Sequence, residues 1–210
     1  HVLLKAYIPM YETNDDIFIS MFIDGQMSNK SNYILFCNYF LAAVMRLIYD
    51  LAGNSFPVYS YLQYGALFLS FTVISYIFLK RCNIFAAIAA AACLLGAFAA
   101  DCYIWLTFTK TASMSAIAGV LLMLSALEKN SGKIERIAGL TVGIVLSLYS
   151  AMLRMESFGL MLLMLFPLGA YELISRAKLS ENKFKTGFRY FRPFLLMLVM
   201  AFMLYCGNEL

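Results

Sequence analysis

The chain has 210 residues, of which 62% are hydrophobic and 13% charged, with a mean hydropathy of +0.77. Soluble domains are about 45–50% apolar and about 25% charged, and a chain of this size cannot hide such an excess of apolar surface inside itself. That excludes a cytosolic enzyme, a nucleic-acid-binding module and a disordered tail; the single histidine, His1, excludes Ser-His-Asp and Cys-His catalysis and histidine-rich metal sites, and the net charge of +4 is too small to point to a partner.

The sequence opens on the apolar run His1-Val2-Leu3-Leu4 rather than on Met. It reads as a piece of a longer membrane protein, with residues 2–8 as the outer end of a preceding helix. Next comes Thr13-Asn14-Asp15-Asp16 ahead of the apolar stretch Ile17–Ile23, closed by Asp24-Gly25. Thr, Asn or Asp before an apolar helix caps its N-terminus, and acids there favour the helix dipole. One cap would suffice, so two adjacent carboxylates also read as a general base or a cation site.

Seven apolar runs follow: 33–51, 57–79, 84–106, 107–127, 136–153, 157–175 and 193–207. A bilayer crossing takes about 20 residues of helix. The run 33–51 holds Asn38, Arg46 and Asp50, and a charge inside the bilayer costs about 2.5–3.5 kcal/mol on insertion scales. It therefore reads as an interfacial helix, with 1–56 one extracytoplasmic loop and 57–210 the transmembrane bundle. Ala86–Ala92 is read as a close-packing stretch, since small residues let helices approach in lipid. The five cysteines form no C-x-x-C pair and read as small apolar filler.

Orientation follows from Lys and Arg. Lys80-Arg81, the loop Glu128–Arg136 and the loop Arg176–Arg192 hold eleven of the 16 basic residues and read as cytoplasmic. The last is interleaved with aromatic residues and suits anionic inner-leaflet lipid. Six alternating spans from 57 onward satisfy this parity. The outer face then collects Glu12, Asp15, Asp16, Asp24, Lys30, Asp101, Lys110, Arg154, Glu156 and Glu209. Lys110 lies near the outer N-terminus of its span, where helix polarity favours an anion. Arg154 reads as a phosphate clamp or a snorkelling anchor; with Glu156 two positions on, a helical ion pair between them is not expected. The boundary tyrosines and Trp105 read as an aromatic belt.

An acidic pair in the first outer loop, then interfacial helices and short-looped spans, resembles the GT-C-type membrane glycosyltransferases. These include protein mannosyltransferases, lipid A aminoarabinose transferases and bacterial cell-surface polysaccharide enzymes. The segments carrying the likeness are Asn14-Asp15-Asp16, Asp24–Ser28, the helix 33–51, Phe108–Ala112 and Leu153–Ser157. The resemblance implies an all-α, polytopic transmembrane helix bundle in a bacterial cytoplasmic membrane, its active site facing outward. It implies a sugar donor on a polyprenyl phosphate and a glycan, lipid or protein acceptor. Asp15 or Asp16 is the implied catalytic base, with Asp15 preferred. Lys110 and Arg154 are the implied phosphate ligands, and Asp101 and Glu156 are further candidates for substrate binding. A divalent cation, held by Asp15 and Asp16, stays open. The competing readings are a lipid-linked-glycan polymerase or ligase, a flippase or transporter, and a structural subunit. A transporter places its charges mid-span.

Overall fold

The computed structural model describes residues 10–24, 33–34, 36–52, 57–128, 132–178 and 183–206. Residues 2–8, Lys30 and Glu209 lie outside the described residues, as do the side chains of Asp24, Arg176, Lys178, Lys183, Lys185 and Arg189. The described chain is all-α apart from one short strand pair. In order it forms β1 (Met10–Tyr11), α1 (Asn14–Asp24), α2 (Tyr39–Leu51), α3 (Val58–Arg81), α4 (Ile84–Ile104), β2 (Trp105–Leu106), α5 (Phe108–Ala126), α6 (Lys133–Leu153), α7 (Met155–Lys178) and α8 (Lys183–Cys206). Helices α3, α4, α5 and α6 are long and apolar enough to cross a membrane, and the apolar part of α8 spans Phe191–Cys206. At about 1.5 Å per residue, α3 to α6 match a hydrocarbon layer of about 30 Å.

Helix α2 has 13 residues, or about 20 Å, which is short of that thickness. Asn38 caps it: its Oδ1 accepts from the Phe40 amide at 2.9 Å. The same side chain donates through Nδ2 to the Leu204 carbonyl at 2.8 Å, and its backbone N–H donates to the Met152 carbonyl at 2.8 Å. Asn38 thus ties α2 to the ends of α6 and α8.

Polar contacts at the two ends fix the up-and-down order. At one end, Arg81 of α3 bonds Glu128, just after α5, at 2.7 Å and Glu172 of α7 at 2.8 Å, while Lys80 pairs with Glu135 of α6 at 2.7 Å. At the other end lie Asp16, Lys110 and Arg154. Successive helices from α3 to α8 alternate between these ends, in the order that loop charge predicts. The helices outrun the expected spans: Lys80-Arg81 lies inside α3, Lys133 and Arg136 inside α6, and Lys183–Arg192 inside α8. Lys, Arg and Glu are good helix formers, so a helix continues past the end of its apolar run.

Helix α5 is the centre, buried along most of its length between α3, α6 and α7. Its contact with α6 is made by small residues. A Cβ on Gly119 would lie 2.4 Å from Ser147 Oγ and 2.7 Å from the Gly143 carbonyl oxygen. One on Gly143 would meet Met123 Cγ at 2.6 Å and the Gly119 carbonyl oxygen at 2.8 Å, and one on Gly139 would meet Ala126 Cβ at 2.8 Å. Gly139, Gly143 and Ser147 are four apart and form a small-residue stripe of the kind that joins helices in lipid. The alanine stretch 86–92 does not pack this way. Only Ala87 is buried there, and α4 exposes Ile84, Phe85, Ile88, Leu95 and Phe98.

Candidate active site

Strand β1 pairs in parallel with β2, Met10 opposite Trp105 and Tyr11 opposite Leu106. The Glu12 amide extends the ladder to the Leu106 carbonyl at 3.0 Å. Tyr11 Oη and Ser60 Oγ are 2.5 Å apart, which holds the same segment to α3. These contacts deliver the acidic pair to the start of α5. Asp16, Ile19 and Ile23 are all buried; spacings of three and four put them on one face of α1. Asp15, one residue and about 100° away on a 3.6-residue turn, is partly exposed.

Asp16 is 0% exposed. Its Oδ2 accepts from the Thr13 hydroxyl at 2.7 Å. Its Oδ1 accepts from Tyr59 Oη at 2.7 Å, the Phe108 amide at 3.0 Å and Gln63 Nε2 at 3.5 Å. The carboxylate thus bonds the Thr13 side chain just before α1 on one side and meets the positive N-terminus of α5 on the other. Gln63 is fully buried and in turn accepts from Thr111 Oγ1 at 2.9 Å. Tyr59, Gln63 and Thr111 were not singled out as site residues from sequence. The available signal was a glutamine in an apolar run, because a buried amide needs partners.

Arg154 is the second centre. It stands between α6 and α7 with φ −158°, an extended conformation. Its Nη1 donates to Thr109 Oγ1. The guanidinium lies 5.0 Å from the Phe108 ring centroid and 5.6 Å from that of Phe36, and these two rings stack at 5.7 Å. Phe36 has φ +66°, the left-handed region that a bulky residue rarely enters. Such strain clusters at functional sites. The Nε of Arg154 is buried without a hydrogen-bond partner among the described residues and lies 3.7 Å from Glu156 Oε2. Here the sequence expectation is corrected: residues two apart diverge on a helix, but Arg154 is extended, so Arg154 and Glu156 do form an ion pair. Glu156 is 72% exposed, so the pair is weak. A guanidinium has five N–H donors. Among the described residues the Arg154 group makes one hydrogen bond, to Thr109.

Lys110 is engaged. Its ammonium lies 2.7 Å from Glu12 Oε2 and 2.7 Å from Asp101 Oδ2. The structure therefore brings Lys110 and Asp101 together and adds Glu12. The two carboxylates leave one Lys110 N–H, which reaches the Trp105 carbonyl only at 3.5 Å.

Both Asp16 oxygens face N–H or O–H donors, which does not suit a cation held jointly by Asp15 and Asp16. Among the described residues no group of three or more His, Cys, Asp or Glu is placed to hold a metal ion. Below the Arg154 cluster, Cys37 is buried, and burial, with the charge of Asp16 adding, pushes its thiol up to about 12. Comparison with family models, with curated proteins and with solved structures found no match.

Proposed function

We propose that this chain is a membrane glycosyltransferase of the GT-C type, its Asp16 end outward in a bacterial cytoplasmic membrane. It transfers a sugar from a polyprenyl-phosphate donor to a glycan, lipid or protein acceptor. The supporting observation is Arg154: a guanidinium held by two aromatic rings and one hydroxyl, with donors to spare, at the same helix ends as an acidic pair. A guanidinium matches phosphate oxygens with two parallel hydrogen bonds. The placement of charges at helix ends rather than mid-span weighs against a transport path.

The chemistry assigned to these residues is a displacement at the sugar's anomeric carbon. Asp15, the partly exposed member of the pair, takes the proton from the acceptor hydroxyl. The acceptor oxygen bonds the anomeric carbon as the carbon–oxygen bond to phosphate breaks. The electron pair leaves on the lipid phosphate, and Arg154 stabilises that charge. A positioned base contributes about 10²–10⁴-fold to such a step. The test uses purified protein in lipid nanodiscs, given polyprenyl-phosphate sugars together with the glycan, lipid and protein acceptors extracted from the source cell envelopes. Wild type releases free polyprenyl phosphate and consumes one sugar-lipid species; Asp15→Asn and Arg154→Gln do not. Equal turnover by all three removes the reading.

A further inference from the structure

We infer that Asp16 is a positioning residue for Arg154: through the Phe108 amide it fixes the first turn of α5, whose Phe108 ring and Thr109 hydroxyl hold the guanidinium. The inference rests on the reading of Arg154 as the phosphate clamp. It separates the two acids, giving Asp16 a task that brings it no contact with substrate.

Three observations carry it. Asp16 is fully buried with both oxygens occupied, so it is not within reach of an acceptor's proton. It joins three elements: its own helix α1, Tyr59 at the start of α3 and Phe108 at the start of α5. The residues it fixes are the ones that Arg154 uses. Phe108 accepts the cation on its ring face, and Thr109 takes the Nη1 hydrogen bond. Phe36, held at φ +66° and stacked on Phe108, places its own ring beside the guanidinium. Arg154 enters from the junction of α6 and α7: its backbone bonds Ser150 and Phe158 of those helices, but among the described residues its guanidinium makes no hydrogen bond to either and has only the weak 3.7 Å ion pair with Glu156. Its orientation is set by α5 and the residue-36 turn, and hence by whatever holds α5 in place. A clamp moved by about 1 Å loses much of its effect, on the order of 10²-fold in unfavourable cases.

The test is a set of single and double variants assayed with undecaprenyl phosphate as the probe. Binding to protein in nanodiscs is titrated, with the thermal unfolding midpoint measured on the same samples. Arg154→Gln weakens binding strongly. Asp16→Asn weakens it by about tenfold, because a neutral amide oxygen holds the Phe108 amide less firmly than the carboxylate does and so loosens the Phe108 turn. The double variant is no weaker than Arg154→Gln alone, because both changes act through one contact. If Asp16→Asn does not fold, Tyr59→Phe takes its place; it removes one donor to Asp16, keeps the ring and gives a severalfold loss that vanishes in the Arg154→Gln background. A merely structural Asp16 gives a lower unfolding midpoint with unchanged affinity in the folded protein, or losses that add to those of Arg154→Gln. Either result overturns the inference while leaving the phosphate clamp standing. If Arg154→Gln binds the probe as wild type does, the clamp itself falls, and this inference with it.

Discussion

The carboxylate of Asp16 and the amide of Phe108 are 92 positions apart in sequence and 3.0 Å apart in space. This contact closes the segment before the bundle onto the bundle's central helix. Asp16→Ala strands three buried donors together, the Phe108 amide, the Tyr59 hydroxyl and Gln63 Nε2. Each buried donor left unpaired costs about 1–3 kcal/mol, so a loss of about 3 kcal/mol or more is expected. In a chain of this length that lowers the unfolding midpoint by about 6–12 °C. Asp15→Asn, next door and partly exposed, changes only a dipole contact worth about 0.5 kcal/mol. Thermal scans of the purified variants separate the two.

The glycines give a second contrast. Gly119→Ala and Gly143→Ala drive a methyl into backbone atoms and a neighbouring side chain at 2.4–2.8 Å. The α5–α6 contact cannot absorb this without separating the helices, at an expected cost of about 1–3 kcal/mol. Gly65 and Gly159 have nothing within 4 Å of an added Cβ. Alanine at either position gains up to about 0.5–1 kcal/mol by restricting the unfolded backbone. Opposite signs of the shift in midpoint for the two pairs are the expected result.

Much of the helical architecture was legible in the sequence, since each of the seven apolar runs falls on a helix and the basic segments between them give the alternation of ends, although only four of these helices are long and apolar enough to cross a membrane. The partners were less so. Glu128, Glu135 and Glu172 neutralise Lys80 and Arg81, and nothing in linear spacing pairs residues 91 positions apart. The alanine run looked like the packing face because composition was the only guide, whereas the glycine stripe on α6 needed the facing helix to give it meaning. At the candidate site, the acidic pair, Lys110 and Arg154 stood out as charges in an apolar chain. Gln63, Tyr59 and Phe36 did not, because their roles come from contacts across the bundle and, for Phe36, from a backbone angle.

Arg81 links α3 to α7 at the opposite end through Glu172. Its side chain is one-third exposed, so its coupling to Glu172 is modest, under about 1 kcal/mol in a double-mutant cycle. The coupling shrinks as salt rises from about 0.01 M to about 1 M, because the screening length falls from about 30 Å to about 3 Å. A coupling of several kcal/mol insensitive to salt contradicts the exposed placement.

Thiol labelling reads both chemistry and sidedness. Cys37 is buried with its thiol pushed up to about 12 from 9.0. A raised thiol stays protonated, so its stabilising effect is complete below pH 9 and is lost as pH climbs toward about 12. At pH 8 a maleimide leaves Cys37 unmodified in the folded protein, because the thiolate is the reactive form. Cys82 is exposed directly after Arg81 and reacts with a membrane-impermeant maleimide only from the cytoplasmic side. Its labelling from outside intact cells reverses the orientation proposed here.

The most direct measurement compares intact masses of surface glycans and lipids from cells carrying wild type, Asp15→Asn or Arg154→Lys, with membrane levels of the protein matched. The account predicts that one defined sugar increment disappears in Asp15→Asn and falls sharply in Arg154→Lys, because a lysine cannot form the paired hydrogen bonds of a guanidinium to phosphate. Unchanged glycan and lipid masses in both variants contradict the assignment of this end of the bundle as a sugar-transfer site.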